Sequence, residues 1–172
     1  MRRVPLEADD LVQLVQGIWG TLFDAKLEPR AAEPASPADG FITSCIRIGR
    51  AWEGVVVLRA SLLVARELAS LMFGLEASED AETCDAMGEL TNLIAGAAQT
   101  LLPAPSELTP PSVIEGKDYR LVLPHSSMVN ELHFSFHGEP LSVMIFEANL
   151  QQTVSRTATE PAIQERTLPY DQ

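Results

Sequence analysis

Three polar residues stand one helical turn apart in a stretch that is otherwise small and apolar: Asp85, Glu89 and Asn92. At about 100° per residue, offsets of four and three residues place them on one face of a helix. A carboxylate can pair with a cation, and a carboxamide can both donate and accept hydrogen bonds. The spacing therefore predicts a helix face that offers a carboxylate and a carboxamide side by side.

The opposite face of this helix is apolar, with residues at helical spacing: Met87, Leu90, Ile94, Ala97 and Leu101. The polar face continues to Gly96 and Gln99, with Gly88 close by, and carries no cation. Composition alone favours a solvated face with two small residues for packing. Glycine on an exposed face also lets another backbone approach closely. The more specific interpretation is therefore a face on which a partner protein docks.

The run Asp85-xxx-Glu89-xx-Asn92 continues into Leu-Ile-Ala-Gly and is followed by a proline before Val113-Ile114-Glu115-Gly116. This pattern resembles the CheC/CheX/FliY family of chemotaxis phosphatases, and it is most similar to the CheX type. The resemblance extends over residues 9–147. In that family the helix inserts a Glu and an Asn into the active site of a phosphorylated receiver domain.

The resemblance implies a hydrolase that removes the aspartyl phosphate of a CheY-like response-regulator receiver in two-component or chemotaxis signalling. Carried over position by position, the catalytic pair is Glu89 and Asn92, and the distant proline is Pro110 or Pro111. Asn92 would orient the attacking water, Glu89 would pair with the receiver lysine, and Asp85 would support the contact from its edge. The receiver would supply Mg²⁺, so no cofactor is expected on this chain.

The same resemblance implies that Gly88 and Gly96 permit close approach of the receiver and that Gln99 extends the docking face. Two other functions stay open: a non-catalytic adaptor that binds receivers, and a structural module of a signalling or motor assembly. The presence of both Glu89 and Asn92 argues against the adaptor. Because CheX-type relatives pair their sheets, a homodimer through a sheet edge is also implied.

The composition is that of one soluble domain with an acidic surface. Of the 172 residues 46% are hydrophobic, yet no apolar run approaches the roughly 20 residues of a membrane-spanning helix. The N-terminus lacks the apolar core of a signal peptide, so we expect a cytoplasmic protein with no membrane partner. A formal charge of −12 would repel phosphate backbones and argues against a nucleic-acid partner.

Other chemistry finds little support in the sequence. Cys45 and Cys84 are too few for a disulfide framework or a cysteine zinc site and are expected to be small buried thiols. His133 and His137 lie about 13 Å apart if they share a strand, too far to hold one metal ion. Phosphate-loop, HExxH and Gly-x-Ser-x-Gly motifs are absent. We therefore expect no metal site.

Hydrophobic periodicity predicts three helices and six strands. The first helix is capped by Asp9 or Asp10, the second by Ser61, and the motif helix spans 78–102. The strand patterns occupy 41–48, 55–58, 112–115, 119–123, 132–136 and 141–146. The order α-β-β-α-α-β-β-β-β predicts a CheC-like α+β fold in which helices pack on one face of a mainly antiparallel sheet.

These elements predict a single CheX-like domain over residues 1–147. Within it, residues 28–40 contain three prolines and no periodicity, which predicts a mobile loop. Residues 148–172 contain scattered apolar residues and two prolines, and they are expected to form a loose C-terminal extension.

Overall fold

The structure is a computed structural model that describes residues 6–32 and 37–149. Its helices in these residues are α1 (Ala8–Phe23), α2 (Leu62–Phe73) and α3 (Asp80–Gln99). Its strands are β1 (Glu28–Pro29), β2 (Phe41–Arg50), β3 (Gly54–Ser61), β4 (Ser106–Leu108), β5 (Ser112–Gly116), β6 (Ser126–Phe136) and β7 (Glu139–Ala148). No helix in the described residues is both long enough and apolar enough to span a bilayer.

The strands of the described residues form one antiparallel sheet in the order β1-β6-β7-β3-β2-β4. β5 also pairs with β2, alongside the part of β2 that β4 leaves free. The helices pack on one face of this sheet, because α3 contacts β2 and β3 while α1 and α2 contact α3. The predicted α+β class and element order are confirmed.

Alternation along the strands explains why one sheet face meets the helices. In β2, Ile42, Ile46 and Ile48 are 0% exposed and belong to the core cluster under the helices. α1 contributes Val15 and Trp19 to this cluster, both also 0% exposed. Burial of one such aliphatic side chain stabilises the fold by roughly 1.5 to 3 kcal/mol, so the core fixes the sheet register and the helix rotation together.

The prediction of a strand at 119–123 was wrong, because these residues form no strand in the structure. β5 pairs with β2 and β6 pairs with β7, so the connection between β5 and β6 runs from one side of the sheet to the other instead of adding a strand. Tyr119 instead packs on the sheet face opposite the three described helices, where its hydroxyl is hydrogen bonded to Thr43 Oγ1. Its ring centroid lies 5.5 Å from Cζ of Arg59.

Two short strands were not predicted, and several element boundaries differ from the prediction. β1 and β4 have only two and three residues, too short for a periodic pattern. β6 begins at Ser126. The prediction placed its start at 132 because the first residues of the strand are mostly polar and exposed. α3 ends at Gln99, so the predicted core residue Leu101 falls beyond the helix and is 36% exposed, whereas Leu102 is 8% exposed.

Candidate functional site

The first turn of α3 fixes where the helix begins. The Glu82 carboxylate accepts a hydrogen bond from the Glu79 backbone N–H at 3.0 Å. The Thr83 hydroxyl donates to the Glu79 carbonyl oxygen at 2.7 Å. Asp80 and Glu82 place negative charge in the first turn, where it is favourable beside the helix N-terminus. These contacts set the register of every residue further along α3.

The buried side of α3 fixes its rotation. Met87 and Leu90 are 0% exposed and Ile94 is 1% exposed, in agreement with the predicted apolar stripe. Thr91 is also buried and satisfies its hydroxyl by donating to the Met87 carbonyl oxygen at 2.7 Å. With this side turned to the core, Asp85, Glu89 and Asn92 remain exposed on the other side. We call these three residues the motif face.

A cleft of about 850 Å³ lies beside the motif face. The wall formed by α3 consists of Cys84, Asp85, Gly88, Glu89 and Asn92. The facing wall is the β4–β5 segment, with Leu108, Thr109, Pro110, Pro111 and Val113. Phe73, at the end of α2, also lines the cleft. The structure thus brings the predicted catalytic pair and both candidate prolines to one site.

The facing wall is anchored to the sheet through Thr109. Its backbone N–H donates to the Arg47 carbonyl oxygen at 3.0 Å, and its hydroxyl accepts from the Arg47 backbone N–H at 3.1 Å. Pro110 and Pro111 follow directly and are both exposed. A Cβ atom at Gly88 would lie 3.1 Å from Pro111 Cγ. The absence of a side chain at Gly88 therefore lets the two walls of the cleft meet.

Two predicted members of the docking face have a different role in the structure. Gly88 is buried and lies against Pro111 of the same chain where the two walls of the cleft meet. Gln99 does not line the cleft, and its Nε2 donates to Ser106 Oγ at 3.1 Å, which ties the end of α3 to β4. Gly96 is different, because a Cβ atom there would meet nothing within 4 Å.

The charge of the cleft restricts its chemistry. Of the eleven described residues that line it, Asp85 and Glu89 are acidic and none is basic. A free phosphate anion would be repelled by these carboxylates, whereas a cation on a partner would be attracted. The described residues also contain no group of three His, Cys, Asp or Glu side chains placed to hold a metal ion.

Cys84 is the thiol nearest to the motif residues. Partial burial raises the pKa of Cys84, and the nearby carboxylates of Glu115, Asp80 and Asp85 raise it further. Because the thiolate is the nucleophilic form, this environment does not activate the sulfur atom. The cleft can instead bind a cation through Glu89 and orient a water molecule through the carboxamide of Asn92.

Sequence reasoning missed five cleft residues: Phe73, Cys84, Leu108, Thr109 and Val113. Phe73 is 44% exposed, and its large aromatic ring at the end of a predicted helix was the available signal. Thr109 immediately precedes the proline pair, but its hydrogen bonds to β2 depend on a strand pairing that the sequence did not predict.

Comparisons with known proteins agree on the fold. CheX from Vibrio vulnificus matches with a TM-score of 0.69 and 20% identity, over 86% of this chain and 100% of that chain. CheX from Desulfovibrio desulfuricans matches with a TM-score of 0.66 and 20% identity, over 81% and 97% of the two chains. The CheX-CheY-BeF3-Mg²⁺ complex from Borrelia burgdorferi matches with a TM-score of 0.62 and 20% identity, over 83% and 99%.

No curated protein shows significant sequence similarity to the chain. A family model described as "Chemotaxis phosphatase CheX" matches residues 42–137, which include α3, both walls of the cleft and most of the sheet. This match covers more than half of the 172 residues. The chain therefore belongs to the CheX family of chemotaxis phosphatases.

Proposed function

We propose that this chain hydrolyses the aspartyl phosphate of a CheY-like response-regulator receiver domain in two-component or chemotaxis signalling. The observation that carries the proposal is the exposed pair Glu89 and Asn92 at an acidic cleft in a CheX-family chain. Neither side chain makes a hydrogen bond or salt bridge within the described residues, so both are available to a partner. The Borrelia burgdorferi complex of CheX with CheY supports a receiver as that partner.

The acidic cleft favours a phosphate that arrives together with its own cations. An aspartyl phosphate on a receiver is accompanied by the Mg²⁺ ion and the lysine of the receiver. The carboxylates of Glu89 and Asp85 would attract these cations, whereas they would repel inorganic phosphate alone. In this proposal Mg²⁺ belongs to the receiver, and this chain supplies the residues that position the reactants.

The Asn92 carboxamide can accept a hydrogen bond from a water molecule and orient it in line with the P–O bond to be broken. The water oxygen attacks phosphorus, the bond to the aspartyl oxygen breaks, and inorganic phosphate and a free carboxylate are formed. Both protons of the water leave with the phosphate, as dihydrogen phosphate, and the aspartyl group leaves as its carboxylate. Glu89 pairs with the receiver lysine and sets the docking register, and Asp85 supports the contact from the edge of the motif face.

The test is to incubate the chain with a panel of receivers phosphorylated by acetyl phosphate and to measure the lifetime of each phosphoryl group. We expect at least one lifetime to shorten in proportion to the concentration of the chain. A receiver that binds while its lifetime stays unchanged would support the adaptor function instead. If no receiver binds, a structural role in a signalling or motor assembly becomes the better explanation.

We also propose a homodimer joined through the outer edge of β6. β1 pairs with β6 only at Ser135 and Phe134, and Met128 and Val129 on the rest of β6 are 49% and 38% exposed. Within the described residues the rest of this edge pairs with no other strand, and such an edge with apolar side chains is suited to pairing with a second copy. Light scattering at micromolar concentration should give twice the chain mass of 18.7 kDa, and the single-chain mass would contradict the dimer.

The single sheet supports our proposal of one domain over residues 1–147. In the proposed loop 28–40, Glu28 and Pro29 pair with β6, while residues 33–36 lie outside the described residues. Of the proposed C-terminal extension, 148–172, residues 150–172 lie outside the described residues. A cytoplasmic location is proposed because that is where we expect the receiver partner.

A further inference from the structure

A second concave region lies on the sheet face against which none of the described helices packs. It is a pocket of about 280 Å³, and neither α3 nor the β4–β5 segment contributes to its lining. In the strand register, Ser142 of β7 lies opposite Arg59 of β3 on one side and His133 of β6 on the other. Since neighbouring strands are about 4.8 Å apart, Arg59 and His133 are separated by about 10 Å across Ser142.

Two nitrogen atoms in this pocket are buried and have no hydrogen-bond partner within the described residues: Nε of Arg59 and Nε2 of His133. A buried polar atom without a partner destabilises a protein, and native proteins contain few of them. Glu131 Oε1 lies 3.3 Å from His133 Nε2, close enough for charge attraction but without hydrogen-bond alignment. The pocket therefore contains unused hydrogen-bonding capacity on two side chains, Arg59 and His133, that flank Ser142.

The Arg59 side chain is held in place by aromatic rings. Its Cζ lies 3.8 Å from the ring centroid of Phe41 and 5.5 Å from that of Tyr119. Such stacking is favourable for a guanidinium group and limits its freedom before any ligand arrives. Little ordering is then needed when Arg59 binds a ligand, which favours affinity.

The local charge contrasts with that of the whole chain. The pocket lining includes Arg30, Arg59 and His133, with Glu131 as its acidic residue, in a protein of formal net charge −12. Glu131 is 40% exposed and can turn toward solvent. A concentration of basic groups around unused nitrogens fits a negatively charged ligand.

We propose that this pocket binds a small organic anion. Its oxyanion head, a carboxylate or a phosphate, accepts hydrogen bonds from Arg59 and His133 and lies over the hydroxyl of Ser142. A short apolar part of the ligand packs against Phe41 and Met144, which also line the pocket. A volume of about 280 Å³ restricts the ligand to one smaller than a typical drug-sized molecule.

The test is an NMR titration of the full chain with sodium phosphate and, separately, sodium butyrate, at constant ionic strength maintained with chloride. We expect saturable shifts of the Arg59 Nε–H and His133 ring signals with at least one of the two anions. Arg59→Gln should weaken that binding about tenfold or more, because a hydrogen bond to a charged group is lost. Arg47→Gln is the matched control, since Arg47 is exposed, pairs with Glu53 and lies outside the pocket.

The proposal is overturned if neither anion gives saturable shifts, or if Arg59→Gln binds as tightly as the wild type. It is also overturned if Arg47→Gln weakens binding as much as Arg59→Gln does, because the effect would then reflect net charge alone. If Arg59→Gln does not fold, His133→Gln takes its place, and the proposal is overturned if His133→Gln binds the anion as tightly as the wild type. Tighter binding of phosphate or of butyrate identifies which oxyanion head the pocket prefers.

Discussion

The two faces of α3 differ in what their side chains contact. On the buried face, Leu90 and Ile94 are at most 1% exposed and belong to the core cluster. On the motif face, Glu89 and Asn92 are exposed and make no hydrogen bond or salt bridge within residues 6–32 and 37–149. The first pair contributes to the stability of the fold, whereas the second contributes almost nothing to it.

This contrast indicates how the two faces can be separated by experiment. A residue that contributes little to folding, such as the poor helix former Asn92, can be replaced without loss of structure. Any functional effect of such a replacement is then due to the missing side chain itself. Substitutions on the buried face should change stability first, and substitutions on the motif face should change only the reaction or the binding of the partner.

The largest expected effect belongs to the buried face. Leu90→Ala should lower the free energy of unfolding by about 2 to 5 kcal/mol, because it removes buried methyl groups and leaves a cavity. Asn92→Ala, its neighbour on the other face, should leave stability unchanged or raise it by a few tenths of a kcal/mol. Urea denaturation of both variants measures the difference. A large loss of stability in Asn92→Ala would mean that the two faces are assigned the wrong way round.

The next effect concerns turnover. Asn92→Ala should slow receiver dephosphorylation about 100-fold, since a misplaced water loses most of the benefit of positioning. Binding to a receiver that carries a stable phosphoryl mimic should remain within about twofold, because the lost contact is made in the transition state. Gln13→Ala, which removes an exposed carboxamide on α1, is the control and should keep full activity. Full activity of Asn92→Ala would rule out its proposed role.

Glu89→Ala should differ from Asn92→Ala by weakening the binding itself. The loss of a charge-assisted contact with the receiver lysine should cost about 1.5 to 3 kcal/mol of affinity. Titration of the mimic-bearing receiver at two salt concentrations measures this, and the variant should show the smaller salt dependence. Asp85→Ala is the comparison variant and should have a mild effect. Equal losses for Asp85→Ala and Glu89→Ala would indicate a general charge effect rather than a specific pair.

The sequence was sufficient to predict α3 and its two faces because helical periodicity is a local property. Met87, Leu90 and Ile94 repeat at intervals that only one rotation of the helix can bury. The strand β2 was predicted for the same reason, since alternation in β2 marks its buried side. In both cases the pattern within one element was enough.

The second wall of the cleft was harder to predict, because it depends on pairing between distant segments. β4 is three residues long and is positioned by its pairing with β2, about 60 residues earlier in the chain. The contact between Gly88 and Pro111 likewise forms only after this wall is in place. The motif therefore pointed to Glu89, Asn92 and the proline pair, but not to the strand pairing that places Pro110 and Pro111 opposite α3.

The smallest expected effects distinguish the two glycines of α3. Gly96→Ala should raise the free energy of unfolding by about 0.8 to 1 kcal/mol, because alanine is the better helix former and nothing lies within 4 Å of the new Cβ. Gly88→Ala should raise the free energy of unfolding by less, or not at all. Here the preference of a helix for alanine is offset because Pro111 Cγ, 3.1 Å from the new Cβ, has to move. Urea denaturation of the two variants compares them directly.

Affinity for the receiver then shows which glycine faces a partner. If the receiver backbone approaches Gly96, Gly96→Ala should bind it a few-fold more weakly although the free chain is more stable, since the added methyl group occupies the contact. Gly88→Ala should alter binding only through the displaced Pro111, because Gly88 is covered within its own chain. Wild-type affinity in Gly96→Ala would restrict the docking surface to Asp85, Glu89 and Asn92, and the receiver would then approach α3 only near its middle.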